Sequence, residues 1–462
     1  MTLMRLFTAG LSFLLIMLIA RRWGPESLGQ FSTLFSFFMF IQQLPLLGLH
    51  LSVARTVASD PALASGEATN SFGISIPVGI LLAMSLGLTG QWLYPESMHT
   101  SFWLVGLACL PTSFTVVAES VLTGEERIHL IAWTLILENI FRVLLCIGFL
   151  LLNFGLPALF GAFLFGRLVA VWVYWQGAGF RDLLQLENFG WKKVSSYLPQ
   201  IHTFLGILVF SASFGRLDFI LLSKLGSLAE AGYYSPAYKI YELGLMLPTI
   251  ICVVIYPIFI RRYKESFGVF CEMHHSFTRF LFGLGLPAAI ILAVLAGRLI
   301  TLFFGPEYAA SASVMRLLAF AMLLMAQDQL MALVLLSSGR ENLDLKTLAF
   351  SFGFNLLLLL VLIPSLGSLG AALAAFGTGL FRLGLRYLFA AKALKMSFQV
   401  NLFLSPILAG SVMALILWGL EECHIVLSLL AAVLGYLVIW IGTGGVTWDS
   451  FRIFRQTLIE GK

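Results

Sequence analysis

The chain has 462 residues, 59% hydrophobic and only 11% charged, with a formal net charge of +5. That apolar content excludes a soluble globular fold, and Lys and Arg scattered at the ends of apolar runs reflect membrane topology, not nucleic-acid binding. Five cysteines stand singly without CxxC or metal-like spacing, which excludes a disulfide framework and a zinc site.

Apolar windows of roughly 20 residues, the length that crosses a bilayer as a helix, recur along the chain. Lipid offers no partner to open backbone groups and the alternating pattern of a membrane barrel is absent, so the windows are read as helices. The expected fold class is an all-α polytopic membrane protein with about 14 spans, near 3–20, 31–53, 72–94, 101–122, 130–152, 156–175, 199–222, 233–260, 277–304, 312–337, 344–364, 367–390, 402–420 and 424–444. The first run lacks a small-residue cleavage site and reads as a retained span. Pro45, Pro111, Pro248 and Pro257 are expected to kink their helices. Between spans 6 and 7, GFRDLLQLENFGWKKVSSYLPQ mixes apolar residues with Arg181, Lys192 and Lys193, the pattern of an amphipathic linker on the inner membrane surface. After span 14, Trp448, Phe451, Phe454 and Leu458 oppose Arg452 and Arg455, which predicts a surface-bound helical tail over 446–462.

Alternate connections separate the basic residues. One side holds Arg55, Arg127, Arg181, Lys192, Lys193, Arg261, Arg262, Lys264, Arg340, Lys346, Lys392, Lys395, Arg452, Arg455 and Lys462, and the other holds Arg21, Arg22 and Lys224. This asymmetry predicts an even span count with both termini in the cytoplasm.

A repeat runs through the spans. ARRWGPESLGQFS (20–32) is written again as LSKLGSLAEAGYYS (222–235), matching Gly29 and Ser32 with Gly232 and Ser235. Tyr94-Pro95-Glu96 matches Gly305-Pro306-Glu307, LTGEERIHL (122–130) matches SSGRENLDL (337–345), Asn139 matches Asn355, and Arg167-Leu168 matches Arg382-Leu383. The offset drifts from about 203 to about 216. A unit of six spans enters and leaves on one side, so the copies form a parallel repeat, the arrangement of transporter halves that rock around a shared site. The expected division is a first lobe over 1–178, the linker over 179–198, a second lobe over 199–392, two further spans over 393–445 and the tail.

At LIARRWGPESLGQFS, GLHLSVARTVAS, RLDFILLSKLGSLAEAGYYSPAYKI, LFFGPEYAASASVMRLLAF and SSGRENLDLKTLAFSFGFNLLLLLVLIPSLGSLGAALA, essentially along the whole chain, the sequence resembles the Wzx-type flippases of O-antigen, capsule and exopolysaccharide assembly. These belong to the multidrug/oligosaccharidyl-lipid/polysaccharide exporter superfamily. The resemblance implies two six-helix lobes around a central cavity. The implied cargo is an undecaprenyl-diphosphate-linked oligosaccharide, carried from the cytoplasmic to the outer leaflet of the cell's inner membrane. The implied partners are that lipid-linked oligosaccharide, the bilayer and other membrane proteins of polysaccharide assembly.

Charges inside spans are costly and mark candidate sites. A diphosphate needs cationic donors, and guanidinium forks suit phosphate oxygens. Arg142 and Arg167 fall near the middle of the first lobe, with Glu138 one turn before Arg142, so an ion pair and a phosphate site are both open readings there. His50 and Arg55 close span 2, as interface anchors or as first contacts for a head group. Arg216, Asp218, Lys239 and Glu242 share a depth on spans 7 and 8, as one charge network or with Arg216 and Lys239 as diphosphate ligands. Asp328, Glu138, Asp218 and Glu119 are candidates for coupling to a proton or sodium gradient, and no other cofactor is called for. Asp328, inside the QDQ of span 10, is expected to point into the bundle.

Two other functions fit the composition. A cation-coupled drug or metabolite exporter would use an acid in the first span, and spans 1 and 2 contain none. A polytopic glycosyltransferase, polymerase or ligase would need a large outer loop with catalytic acids, and the outer loops are short, with Glu96, Glu307, Glu421 and Glu422 their notable acids.

Overall fold

The computed structural model describes residues 2–444 except 178, 186, 188, 196, 198–200, 202–204, 206–214, 397–398 and 421–423. Most of predicted span 7, Glu421 and Glu422, and the predicted tail lie outside the described residues. Among the described residues every regular element is a helix, and nine are long and apolar enough to cross a membrane by length and composition.

Residues 2–232 form one compact unit. It contains α1 (Thr2–Ile41), α2 (His50–Ser59), α3 (Ala64–Leu93), α4 (Glu96–Leu107), α5 (Cys109–Gly124), α6 (Ile128–Leu151), α7 (Leu156–Gly177), the short α8 (Phe180–Leu183), α9 (Leu217–Leu225) and the start of α10 (Leu228–Glu265). Helix α1 holds predicted span 1 and the first part of span 2. It breaks at Gly24, whose φ of 76° only a residue without Cβ adopts freely, and Pro25 restarts the helix.

Span 2 is discontinuous, where the sequence predicted one helix over 31–53. Residues 42–49 leave the helix at Pro45, with Leu47 at φ 50° and Gly48 at φ 82°. Proline removes a helical donor, and short turns replace the ladder: Leu47 N donates to Leu44 O at 2.8 Å and Leu49 N to Leu46 O at 2.9 Å. Irregular backbone at membrane depth survives only when protein covers it, and Leu46 and Leu49 are fully buried.

From residue 233 onward the described residues form the second unit. After α10 come α11 (Phe267–Val294), α12 (Ala296–Phe304), α13 (Ser311–Ser337), α14 (Glu341–Leu394), α15 (Asn401–Gly419) and α16 (Ile425–Gly442). Predicted span 9 (277–304) is split at Leu295, so Arg298 sits on the separate short α12. A straight helix as long as α14, 54 residues, would measure roughly 80 Å, far beyond one bilayer crossing. It breaks at Gly367 (φ 55°), which divides predicted spans 11 and 12. Helix α13 packs against both α11 and α14, and α15 and α16 pack on each other and on α11, where Tyr436 Oη donates to Gly283 O at 2.6 Å.

The turn that ends α5 recurs after α13. Arg127 N donates to Leu122 O, and Arg340 N to Leu335 O, both at 2.9 Å. Glu126 N donates to Thr123 O, and Gly339 N to Leu336 O, both at 3.2 Å. This paired bonding closes a helix through one left-handed residue, here Glu126 (φ 59°) and Gly339 (φ 70°). The structural counterpart of Gly339 is therefore Glu126, two residues beyond the Gly124 that the sequence pairs with it.

The doubled corner of the sequence meets itself within the first unit. A Cβ on Gly29 would sit 1.7 Å from Leu228 O, and a Cβ on Gly232 would sit 1.8 Å from Pro25 O. Each glycine faces the residue four positions before the other, so α1 and the start of α10 cross reciprocally. Gly29→Ala and Gly232→Ala are each expected to cost about 1–3 kcal/mol through forced separation of the backbones. Thermal unfolding in detergent measures this, with Gly353→Ala, which opens onto empty space, as the neutral reference. Unaltered stability in both variants would refute the contact.

Candidate functional site

The first unit gathers its intramembrane charges around α6 and α7. Glu138 and Arg142 are one turn apart on α6, with Arg142 Nη1 3.7 Å from Glu138 Oε1. The same carboxylate oxygen lies 3.3 Å from Arg167 Nε on α7. Glu138 is nearly fully buried, so one carboxylate answers two guanidiniums in a low-dielectric setting. Amides complete the donors' needs: Arg142 Nη2 donates to Asn139 Oδ1, and Arg167 Nη2 donates to Gln42 Oε1 at the break of span 2.

Phenylalanines hold these cations from the other side. The Arg142 guanidinium lies 4.8 Å from the Phe163 ring centre and that of Arg167 lies 5.7 Å from Phe38. Arg216, at the start of α9, lies 5.6 Å from Phe35. The three rings are one patch, with Phe163 5.2 Å from Phe38 and 5.8 Å from Phe35. Ring faces attract cations, so the patch fixes three guanidiniums without neutralising them. The predicted ligands Arg142, Arg167 and Arg216 are thus brought together. Glu119, on α5, accepts from Tyr174 Oη at 3.2 Å.

Of the other predicted residues, His50, Arg55 and Asp218 belong to the first unit and Lys239 to the second. His50 is half-buried at the start of α2 and Arg55 is exposed one turn on, and among the described residues neither bonds to this cluster. Asp218 is buried at the start of α9. Lys239 pairs with Glu242 at 2.7 Å within α10.

The second unit holds a different arrangement. Asp328 on α13 is fully buried, as its QDQ setting predicts. It lies 2.6 Å from Arg382 Nη2 and 2.6 Å from Arg386 Nη1, both on α14. Arg386 also pairs with Asp344 at 2.8 Å and donates to the Asp328 carbonyl at 3.1 Å. Two acids and two bases form a closed set. Sequence reasoning missed Arg386 and Asp344, although Arg386 stands one turn after Arg382 on the same face. It also missed Gln42 and the phenylalanine patch.

Residues 18–313, more than half of the chain, match the family described as "Polysaccharide biosynthesis protein". The chain belongs to this family. The probable low-salt glycan biosynthesis flippase Agl15 of Haloferax volcanii is 23% identical over 472 residues, covering 98% of this chain and 94% of that one. The uncharacterized membrane protein MJ1068 of Methanocaldococcus jannaschii is 31% identical over 87 residues, 19% of this chain and 17% of its own length. Among solved structures, the lipid II flippase MurJ in an inward closed conformation superposes with a TM-score of 0.76 over 99% of both chains at 14% identity. An inward-facing multidrug resistance transporter of the MATE family and MOP superfamily gives 0.71 over 84% of this chain and 96% of that one, at 17% identity. The fold is therefore the one that these two solved structures share.

Removing a partner from a buried ion cluster leaves charge uncompensated, which costs about 3–5 kcal/mol. Asp328→Asn is expected to lose stability on that scale, measured as thermal unfolding in detergent. Asp328→Asn combined with Arg382→Met is expected to recover part of the loss. A single variant as stable as the parent would refute the cluster's structural role.

Proposed function

We propose that this protein is a flippase that carries an undecaprenyl-diphosphate-linked oligosaccharide from the cytoplasmic to the outer leaflet by alternating access, for surface polysaccharide assembly. The observation that carries the reading is the sharing of Glu138 between Arg142 and Arg167, with Arg216 on the same phenylalanine patch. An approaching diphosphate would bring further anionic oxygens to guanidiniums already gathered in one place. Guanidinium forks grip such oxygens in two-pronged fashion. The sugars would follow the head group through the protein while the isoprenoid tail stays in lipid. The Haloferax relative is named as a probable glycan biosynthesis flippase, which favours a lipid-linked glycan over a drug as cargo. The lobes over 1–178 and 199–392, and both termini in the cytoplasm, belong to the same proposal.

The charge arrangement also sorts the coupling candidates. Glu138 and Asp328 are each tied to two guanidiniums. Glu119 accepts a phenol hydrogen bond and feels the charge of Arg167, but among the described residues it has no ion pair. It is therefore the acid best placed to gain and lose a proton or sodium ion during the cycle.

Depleting the protein is expected to trap lipid-linked oligosaccharide in the inner leaflet, assayed by extraction and sidedness labelling. Normal delivery of surface glycan in depleted cells would reject the function. Arg142→Ala and Arg167→Ala are expected to reduce delivery at least about tenfold at normal protein level, since charge-assisted hydrogen bonds contribute ~1.5–3 kcal/mol each. Delivery unaltered in both would remove them from the site. In reconstituted vesicles Glu119→Gln is expected to abolish the response of transport to a collapsed ion gradient, whereas a parental response would remove Glu119 from coupling.

A further inference from the structure

The segment after α7 is strapped to α3 by a set of contacts that the flippase reading does not use. Ser65 Oγ donates to Leu183 O at 2.6 Å and Thr69 Oγ1 to Gln185 O at 3.3 Å. Gly190 N donates to Asn70 Oδ1 at 2.9 Å. Glu67, nearly fully buried, takes Lys193 Nζ at 2.8 Å on one oxygen and the Tyr197 hydroxyl on the other. Burial and the adjacent Glu67 push the Tyr197 phenol above its ordinary value, so it remains a donor. Phe189 closes over Gly73, where a Cβ would meet its ring at 2.6 Å.

Beneath this strap lies a cavity of about 520 Å³, walled by Phe72, Ile76, Phe114, Trp175, Leu184 and Phe189. Its volume is in the roughly 300–1,000 Å³ range of built ligand pockets. Water enters a cavity only where polar groups hold it, and Thr69, one of the few polar groups on the wall, spends its hydroxyl on Gln185 O. Ile76 is 47% exposed and Trp175 37%, so the cavity opens sideways towards the hydrocarbon. Along the strap Arg181 and Lys192 are exposed, and Trp191, next to Lys192 in sequence, is 73% exposed. An apolar slot beneath a basic, tryptophan-bearing segment is complementary to a lipid with an anionic head group.

We propose that this cavity is a resident-lipid site: one acyl chain of an anionic glycerophospholipid fills it, with the head group on Arg181 and Lys192. The lipid comes from the leaflet against which the strap lies. The chain packs against Phe114, Phe189 and Trp175 and completes a wall that the protein leaves open. The site is separate from the arginine patch and is independent of the cargo.

Native mass spectrometry of the full-length protein, released from nanodiscs of mixed phosphatidylglycerol and phosphatidylcholine, tests this. The parent is expected to retain one phosphatidylglycerol in preference to phosphatidylcholine. Arg181→Ala with Lys192→Ala is expected to weaken that preference about fivefold per charge. Ile76→Trp, which fills the slot, is expected to lose both lipids, while Leu81→Trp, an exposed position on α3 outside the slot, retains phosphatidylglycerol. Retention by Ile76→Trp equal to the parent's would overturn the site. Equal retention of the two phospholipids, or an isoprenoid diphosphate as the retained species in protein from native membranes, would overturn its occupant. None of these outcomes depends on a transport assay, so the site can fail while the flippase reading stands.

Discussion

A guanidinium among hydrocarbon chains has to be answered, by a carboxylate, by amides or by a ring face. Most of what sets the interior of this protein follows from how four such groups are answered. Arg167 and Arg382 occupy matching places in the sequence repeat, yet their acids come from different helices. Arg167 draws on Glu138 of α6, and Arg382 draws on Asp328 of α13. The repeat thus preserves the cation and leaves the counter-ion free to move. In the second unit the account closes, with Asp328 and Asp344 against Arg382 and Arg386. In the first unit Glu138 is divided between Arg142 and Arg167, with the amides of Asn139 and Gln42 and the rings of Phe163 and Phe38 beside them.

That difference separates a rigid cluster from a receptive one. Two acids against two bases in a dry interior have little to gain from an anion. Where one carboxylate pairs with two guanidiniums, an added anion has more to gain. Aromatic faces suit this role because they orient a guanidinium while leaving its outer edge available to another acceptor. The break in span 2 contributes as well. By unwinding at Pro45, the chain puts Gln42 at the end of α1 within reach of Arg167.

Much of this was legible in the sequence, for reasons that can be named. Hydropathy marks spans because lipid forces every crossing segment to satisfy its own backbone. The Glu138–Arg142 pair is a one-turn neighbour on one helix, and Asp328 between two glutamines had to face inward. The partners of Arg167 were not legible, because Gln42 lies 125 residues away and Glu138 on another helix, and only packing joins them. The phenylalanine patch was hidden by abundance, since 41 phenylalanines give no reason to single out Phe35, Phe38 and Phe163. The register of these turns differs by two from the sequence match, because LTGEERIHL and SSGRENLDL align on their glycines and a glycine does not by itself mark the left-handed position. The backbone instead uses Glu126, which hydrogen bonding reveals and residue type does not.

The crossing at Gly29 and Gly232 has one more consequence. Most helix contacts interlock side chains, and separating them requires rotamers to unmesh and repack. Here Gly29 meets the Leu228 carbonyl and Gly232 meets the Pro25 carbonyl, so main chain rests on main chain. A junction of that kind behaves like two smooth plates: it comes apart without any side chain having to turn, and it closes again in one register, because nothing larger than hydrogen fits between.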